Sequence, residues 1–254
     1  IDNNKFLPIF NSGSELMSVK IIENSSGTIR PSEGYGPILR PTARETYSLR
    51  QQIFELVRAS GRIARAKIAR TLNISPGSVT ALTAELISDG FLREVEEISR
   101  EISRGRPPVA LELVPDALYV IGVKLSDEVH TATLTDFGGN ALASASQITN
   151  ADKKTANQLL SETEVLIKKV CESAKLPQKS ISAIGVGISG IVNYTTGVVS
   201  WSPLLEDLDT PLGNIFSTHF ETPVCIDNDA NVLTLAELWF GAGRALSNFA
   251  VITI

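Results

Sequence analysis

From Tyr47 onward the apolar residues fall into short stretches of helical period. In YSLRQQIFELVRAS, Leu49, Ile53, Leu56 and Val57 share one face, and Gly61 supplies a stop. In RIARAKIARTLN, Ile63, Ala64, Ile68 and Leu72 repeat that spacing and predict a second helix. A third follows in ISPGSVTALTAELISDG. Ser75 is placed to cap it, and Pro76 stands at its first position, where a missing N–H costs nothing. Val79, Leu82, Leu86 and Ile87 form its inward stripe, and Gly90 closes it. FLREVEEI then reads as a strand, SREISRG as a turn and PVALELV as a returning strand. A helix, two further helices joined by a tight turn and a two-stranded ribbon describe a winged helix-turn-helix over residues 43–110. A three-helix interaction module that never touches DNA shares most of this pattern.

Residues 1–42 show no sustained period. GSEL, ENSSGT and PSEGYGP are turn and linker signals, so this stretch reads as a tail or arm without its own core. Residues 111–254 read as a second domain. YVIGVKL, VHTATLT and NALASASQI are strands joined by short turns, DFGGN being the clearest. TANQLLSETEVLIKKVCESAK is an amphipathic helix. ISAIGVGISGIVN is a buried strand entering a Gly-rich turn, TPVCIDND another strand, ANVLTLAELWFGAG a helix and NFAVITI a further strand. Antiparallel strands followed by strands alternating with helices indicate an α/β class.

Charge separates these segments. The chain carries a net −5, yet residues 43–110 hold 11 Lys/Arg against 8 Asp/Glu, while residues 111–254 hold 8 against 16. A basic segment on an acidic body points to a polyanion-binding module attached to something that avoids polyanions. Cys171 and Cys225 offer neither a disulfide framework nor a zinc cluster and fit a reducing cytoplasm. No apolar run is long enough to span a membrane, and IDNNKFLPIF lacks the basic and apolar regions of a signal peptide, so a cytoplasmic protein is expected.

The segment GRIARAKIARTLNISPGSVTALTAELISDGFL, the later GRPP, a degenerate strand-turn-strand and IDNDANVLTLAELWFGAG together resemble the ROK family over roughly residues 45–254. That family contains sugar kinases and sugar-responsive repressors on the actin-like ATPase fold, and its repressor branch carries the winged helix. The resemblance implies an incomplete ROK-type α/β lobe preceded by an N-terminal winged helix-turn-helix. It also implies a downstream phosphate loop, a Glu/His pair and a zinc motif beyond Ile254, so no cofactor is expected within this chain and the chain looks truncated.

Kinase members carry a hairpin of the pattern G-x-D-x-G-G-T, whose acidic residue helps organise Mg²⁺ and whose glycines let backbone N–H groups approach phosphates. The matching stretch is Gly122-Val123-Lys124-Leu125-Ser126-Asp127-Glu128. Lys124 replaces the carboxylate, Ser126 and Asp127 replace the glycines, and Asp127 and Glu128 repel phosphate. Phosphoryl transfer rests on positioning and charge neutralisation, so this hairpin argues against catalysis. Asn228-Asp229-Ala230-Asn231 matches the family's N-D-x-N motif, whose Asp accepts from a sugar hydroxyl and acts as its base in kinases. Helix capping alone also accounts for Asn228 and Asp229. Gly187-Ile188-Ser189-Gly190, Val192, Thr196-Gly197 and Ser202-Pro203 resemble the loop over the sugar pocket. Ser189 stands there in place of the usual Pro, and Leu204 in place of a hydroxyl-binding Asn. Gly190 serves either the effector or the turn. His130 and His219 match no family position and read as surface or structural residues.

On the third helix, Ser75, Gly77, Ser78, Thr80, Ala81 and Thr83 are the expected DNA-facing positions, small enough for close entry into a major groove. Arg62, Arg65, Lys67 and Arg70 surround the preceding helix, and Arg65, which opens it, is the expected phosphate contact. In the wing, Arg100, Arg104 and Arg106 converge, and Gly105-Arg106-Pro107 suits a narrow minor groove or a stiff interdomain hinge. The expectation is a homodimeric, sugar-controlled DNA-binding regulator of carbohydrate metabolism, a repressor by branch. It would bind an operator in double-stranded DNA and a sugar effector near Gly190, Asn228 and Asp229. An ATP-dependent sugar kinase with an accessory DNA-binding domain is the alternative, and a constitutive DNA-binding protein a third.

Overall fold

Two hydrophobic cores, one under the winged helix and one under a five-stranded sheet, meet at an aromatic junction. The computed structural model describes residues 34–38, 47–96 and 109–252. The wing turn with Arg100, Arg104 and Arg106, and most of the 1–42 arm, lie outside the described residues.

The first core is built by helices α1 (Leu49–Ser60), α2 (Arg65–Leu72) and α3 (Pro76–Ser88) with strands β1 (Ile63–Ala64), β2 (Leu92–Glu96) and β3 (Val109–Leu113). Ile53, Val57, Ile68, Val79, Leu86, Leu92 and Leu111 fill it. Both caps expected on α3 are present: the Ser75 side chain accepts from Ser78 N–H, and Gly90 follows the helix at φ 79°. Three expectations are corrected. Ile63 and Ala64 are strand, paired with Leu111 and Ala110, because β3 offers them a ladder that a helix would forgo. Leu49 is exposed at the mouth of α1. The strand β3, Val109–Leu113, is one residue shorter at each end than the expected returning strand PVALELV.

The second core lies on one face of a sheet in the order β10-β7-β4-β5-β6, formed by β4 (Tyr119–Leu125), β5 (Val129–Asp136), β6 (Ala141–Ile148), β7 (Ile181–Ile188) and β10 (Val224–Asn228). A hairpin of β8 (Ile191–Asn193) and β9 (Val198–Trp201) follows β7. β4 and β10 both run parallel to β7, while β5 and β6 are antiparallel additions. Period-two alternation puts Ile121, Val123 and Leu125 in register with Ile184, Val186 and Ile188. Helix α4 (Ala156–Ala174) covers that face with Leu159, Leu166, Ile167 and Val170, and its start is fixed by a capping box between Thr155 and Gln158. Helix α5 (Leu212–Phe220), not expected from sequence, adds Phe216 and Phe220. Residues 249–252, expected as a strand, form none, because the described sheet ends at β10 and offers them no ladder. Among the described residues, no helix is long and apolar enough to cross a membrane.

His130 is structural. It is fully buried, its Nδ1 accepts from Ser126 N–H at 3.1 Å, and Nε2 faces Glu162 at 2.8 Å. An accepting Nδ1 assigns the proton to Nε2, which donates to Glu162. Burial holds the imidazole below the usual histidine range against the opposing pull of Glu162, so the neutral ring latches the β4–β5 turn to α4.

Candidate DNA-facing surface and effector site

The start of α3 projects from the winged helix as an open surface. Ser75, Gly77, Thr80 and Ala81 are exposed there, and Ser78 is half-buried. Their polar groups are tied locally: Ser78 Oγ lies 2.9 Å from Ser75 Oγ, and Thr80 Oγ1 donates to Pro76 O at 2.9 Å. This fixes the rotamers of a surface with little bulk, which favours close approach by another macromolecule. Thr83 does not belong to it. Its side chain is fully buried, donating to Thr80 O and accepting from Arg65 Nε at 2.9 Å. On a helix, position 83 follows Val79 by four and precedes Leu86 by three, so it shares their inward stripe.

Three arginines around α2 and the wing, Arg62, Arg65 and Arg93, are already paired with carboxylates. Arg65 reaches Glu94 on β2 at 2.6 Å. Arg62 and Arg93 converge on Glu112, at 2.6 and 2.8 Å. Burial opposes the Glu112 charge, but the hydrogen bonds from Arg93 and Arg62 prevail and hold its carboxyl below the usual range. Arg70 Nε donates to Ala66 O, and Lys67 is exposed. These pairs orient the guanidinium groups without burying them; the side chains of Arg62 and Arg93 remain about half exposed.

The second site forms at the carboxyl ends of β7 and β10, where ligands of parallel α/β sheets collect. Because Asn228 pairs with Ile188, the loop after β7 is brought against the start of helix α6 (Asp229–Phe240). Ser189 Oγ donates to Asp229 Oδ2 at 2.5 Å. Asn228 Nδ2 donates to Gly190 O at 2.7 Å, while its Oδ1 accepts from Ala230 N–H. Asn228 is therefore both cap and strut, as the capping alternative required. Gly190, at φ 140°, must lack a side chain because a Cβ would collide with the Trp201 carbonyl. Its contribution is backbone shape plus the carbonyl that anchors Asn228. Asp229 keeps acceptor capacity beyond Ser189 and Ala230 N–H, and is the residue of this cluster suited to a hydroxyl donor. Leu204, at the position of the expected hydroxyl-binding Asn, is buried in the sheet core.

The hairpin after β4 opens at the same end of the sheet. Lys124 stands on the face opposite the core, in register with Gly187, and Asp127 and Glu128 are exposed at the turn. Ser126 Oγ donates to Val129 O and accepts from Val129 N–H, closing the turn on itself. Among the described residues, no three His, Cys, Asp or Glu side chains group as metal ligands.

Sequence reasoning missed the junction between the domains. Phe54 of α1, Phe91 and Phe137 of the β5–β6 turn form an aromatic trio, with Phe54 stacked on Phe137 at 5.8 Å. Tyr35, from the expected arm, stacks on Phe240 at 5.6 Å and donates to Phe137 O at 2.5 Å. Burial pushes its phenol up to about 12. Arg58 of α1 is buried over the Trp239 ring at 4.7 Å. The signal available in sequence was the pair of aromatics ending ANVLTLAELWF, read there only as helix.

The fold defines a winged helix-turn-helix joined to an α/β lobe with a mixed sheet, and comparison with known proteins agrees. The ROK family profile matches residues 120–254 and a winged helix-turn-helix DNA-binding profile matches residues 48–93. The chain belongs to the ROK family. It is 32% identical to the xylose repressor of Caldicellulosiruptor bescii over 194 residues, 76% of this chain and 47% of that protein. It is 25% identical to the DNA-binding transcriptional repressor Mlc of Escherichia coli K12 over 205 residues, 80% of this chain and 49% of the relative. The chain thus spans about half the length of the relatives it matches. In fold it is similar to the crystal structure of a ROK family transcriptional regulator described as a homologue of the E. coli Mlc protein. That similarity has a TM-score of 0.58 at 24% identity, covering 74% of this chain and 47% of the other.

Proposed function

We propose that this chain is the DNA-binding domain and part of the sensor of a transcriptional repressor of carbohydrate-metabolism genes. Its grip on DNA changes when a sugar or sugar derivative occupies the carboxyl ends of β7 and β10. The observation that carries the reading is one molecule holding both an open, small-residue recognition helix and a ROK lobe that presents Asp229 at a strand end. The relatives named as repressors support the regulatory role, and the name of one makes D-xylose the first sugar to test. The proposal includes a homodimer, whose two-fold symmetry would be matched by an inverted repeat in the operator.

Catalysis is not part of this proposal. Lys124 stands at the acidic position of the phosphate hairpin and Asp127 at a glycine, so the turn brings charge of the wrong sign to both metal and phosphate.

The test is selection of DNA from a random pool by this chain, followed by titration of the selected DNA with and without D-xylose. Enrichment of an inverted repeat, weakened by Arg106→Ala and shifted by sugar in the parent but not in Asp229→Ala, is the expected result. Failure to enrich any sequence at low salt, where phosphate contacts are strongest, overturns the DNA-binding reading. ATP-dependent phosphorylation of the sugar overturns the non-catalytic one.

A further inference from the structure

Residues Gly34–Ile38 are held between the two domains by hydrogen bonds to four of their carbonyls and three of their amides. Their carbonyls alternate between two buried arginines. Gly34 and Gly36 accept from Arg244, and Tyr35 and Pro37 accept from Arg58. Their amides alternate as well: Tyr35 donates to Arg58 O, Gly36 to Trp239 O and Ile38 to Arg244 O. Arg244 also reaches Ala59 O on α1 at 3.1 Å. Arg58 is 3% exposed and Arg244 9%, so both guanidinium groups have exchanged water for these carbonyls. Burial, and after it the neighbouring Arg58, lowers the pKa of Arg244.

The helix that holds this segment begins at the candidate effector site. Helix α6 starts with Asp229 and ends with Trp239 and Phe240, the residues that face Tyr35, Gly36 and Arg58. Its 12 residues span about 18 Å as one rigid rod. Beyond it, Glu237 Oε2 accepts from Ala242 N–H and fixes the turn Ala242–Ala245 that carries Arg244.

We propose that residues 34–38 are a coupling strap: α6 carries a change at Asp229 to its far end, and the strap hands that change to α1 of the winged helix. The reading rests on the proposed effector site only for the stimulus; the mechanical link from α6 to α1 stands on its own contacts. The strap gives the allosteric change a definite two-sided element, engaged or released, on which both sites act. Its glycines make this specific. A Cβ on Gly36, at φ 74°, would collide with the Arg58 guanidinium, and one on Gly34 with the Arg58 and Ala59 carbonyl groups.

The experiment uses the whole chain and reads hydrogen exchange at the Gly36 and Ile38 amides together with affinity for the selected DNA. Three stimuli are compared: buffer, D-xylose and, without sugar, Asn228→Ala, which uncaps the near end of α6. In the parent, Asn228→Ala and bound sugar each change strap exchange by roughly tenfold, and sugar shifts DNA affinity at least about fivefold. In Gly36→Ala the strap exchanges fast from the outset, sugar still binds with a Kd shifted by no more than that same factor of about ten, and its effect on DNA is lost. Arg244→Lys, which keeps the charge but loses the fork, gives the same outcome if Gly36→Ala does not fold. Strap exchange indifferent to Asn228→Ala overturns the proposal, as does a full sugar effect on DNA in Gly36→Ala or, where that fails to fold, in Arg244→Lys. Should D-xylose not bind the parent while Asn228→Ala still moves the strap, the effector choice falls and the strap stands.

Discussion

The candidate DNA-facing surface and the domain junction both rely on arginine, in opposite surroundings. At the surface, Arg62, Arg65 and Arg93 pair with Glu112 and Glu94 and keep much of their area in water. At the junction, Arg58 and Arg244 are buried, and their partners are mostly backbone carbonyls and an aromatic ring. Exposed ion pairs contribute little to stability, because water competes for both partners and salt screens them. A buried guanidinium cannot return to water without leaving its acceptors unsatisfied. The same residue type is thus available for a ligand in one place and committed to architecture in the other.

The largest effect expected from this contrast is at Arg58. Arg58→Ala strands the Tyr35 and Pro37 carbonyls and leaves Glu55 without its partner, so urea unfolding should register a loss of about 3–5 kcal/mol. A loss below about 1 kcal/mol, the range of exposed pairs, would erase the distinction between the two arginine sets.

That distinction is invisible in the sequence. Gly36 and Arg244 touch across 208 positions, so no local period joins them, and Arg58 lies on a helix whose pattern marks only its apolar stripe. Elements with sustained period were legible: α4, from its Thr155–Gln158 capping box through its Leu159–Val170 stripe, follows from local physics. Ile63 and Ala64 were misread because two residues show no period and their strand depends on β3, more than forty positions later. For the candidate effector site, the motif placed Asn228 and Asp229 at a strand end, which the fold bears out. The Ser189 bond to Asp229 needed the parallel pairing of β7 and β10 to appear.

Ser189 allows an intermediate test, on the effector side. Its hydroxyl occupies one Asp229 oxygen, so a sugar hydroxyl must compete with it or share that oxygen. Ser189→Ala should tighten D-xylose binding by up to about tenfold, measured by calorimetry, since a hydrogen bond to a charged group is worth about 1.5–3 kcal/mol before competition with water is counted. Weaker binding would mean that Ser189 positions the carboxylate for the sugar.

A smaller effect is expected at the cap of the recognition helix. Ser75→Ala removes the acceptor of Ser78 N–H and should cost about 1 kcal/mol of stability. DNA affinity should fall with it, because the N-terminal turn of α3 would fray where the surface is open. Stability lost without any change in DNA affinity would put the interface elsewhere.

The smallest effect on stability belongs to Arg65, and it sharpens the comparison most. Arg65 is tied to Thr83 beneath it and to Glu94 beside it, with its side chain 27% exposed. The Glu94 partner is half exposed, so that ion pair contributes little, and Arg65→Ala should change unfolding by no more than about 0.5 kcal/mol. If phosphate replaces Glu94 as the acceptor on binding, the same substitution should weaken all DNA sequences alike and lower the slope of log affinity against log salt by about 1. Glu94→Gln should act in the opposite direction, because it frees Arg65 from its carboxylate while leaving the Thr83 bond to aim it. A salt slope unchanged in both variants would make Arg65 a brace for Thr83 and β2, placing it with the junction arginines as a residue committed to architecture.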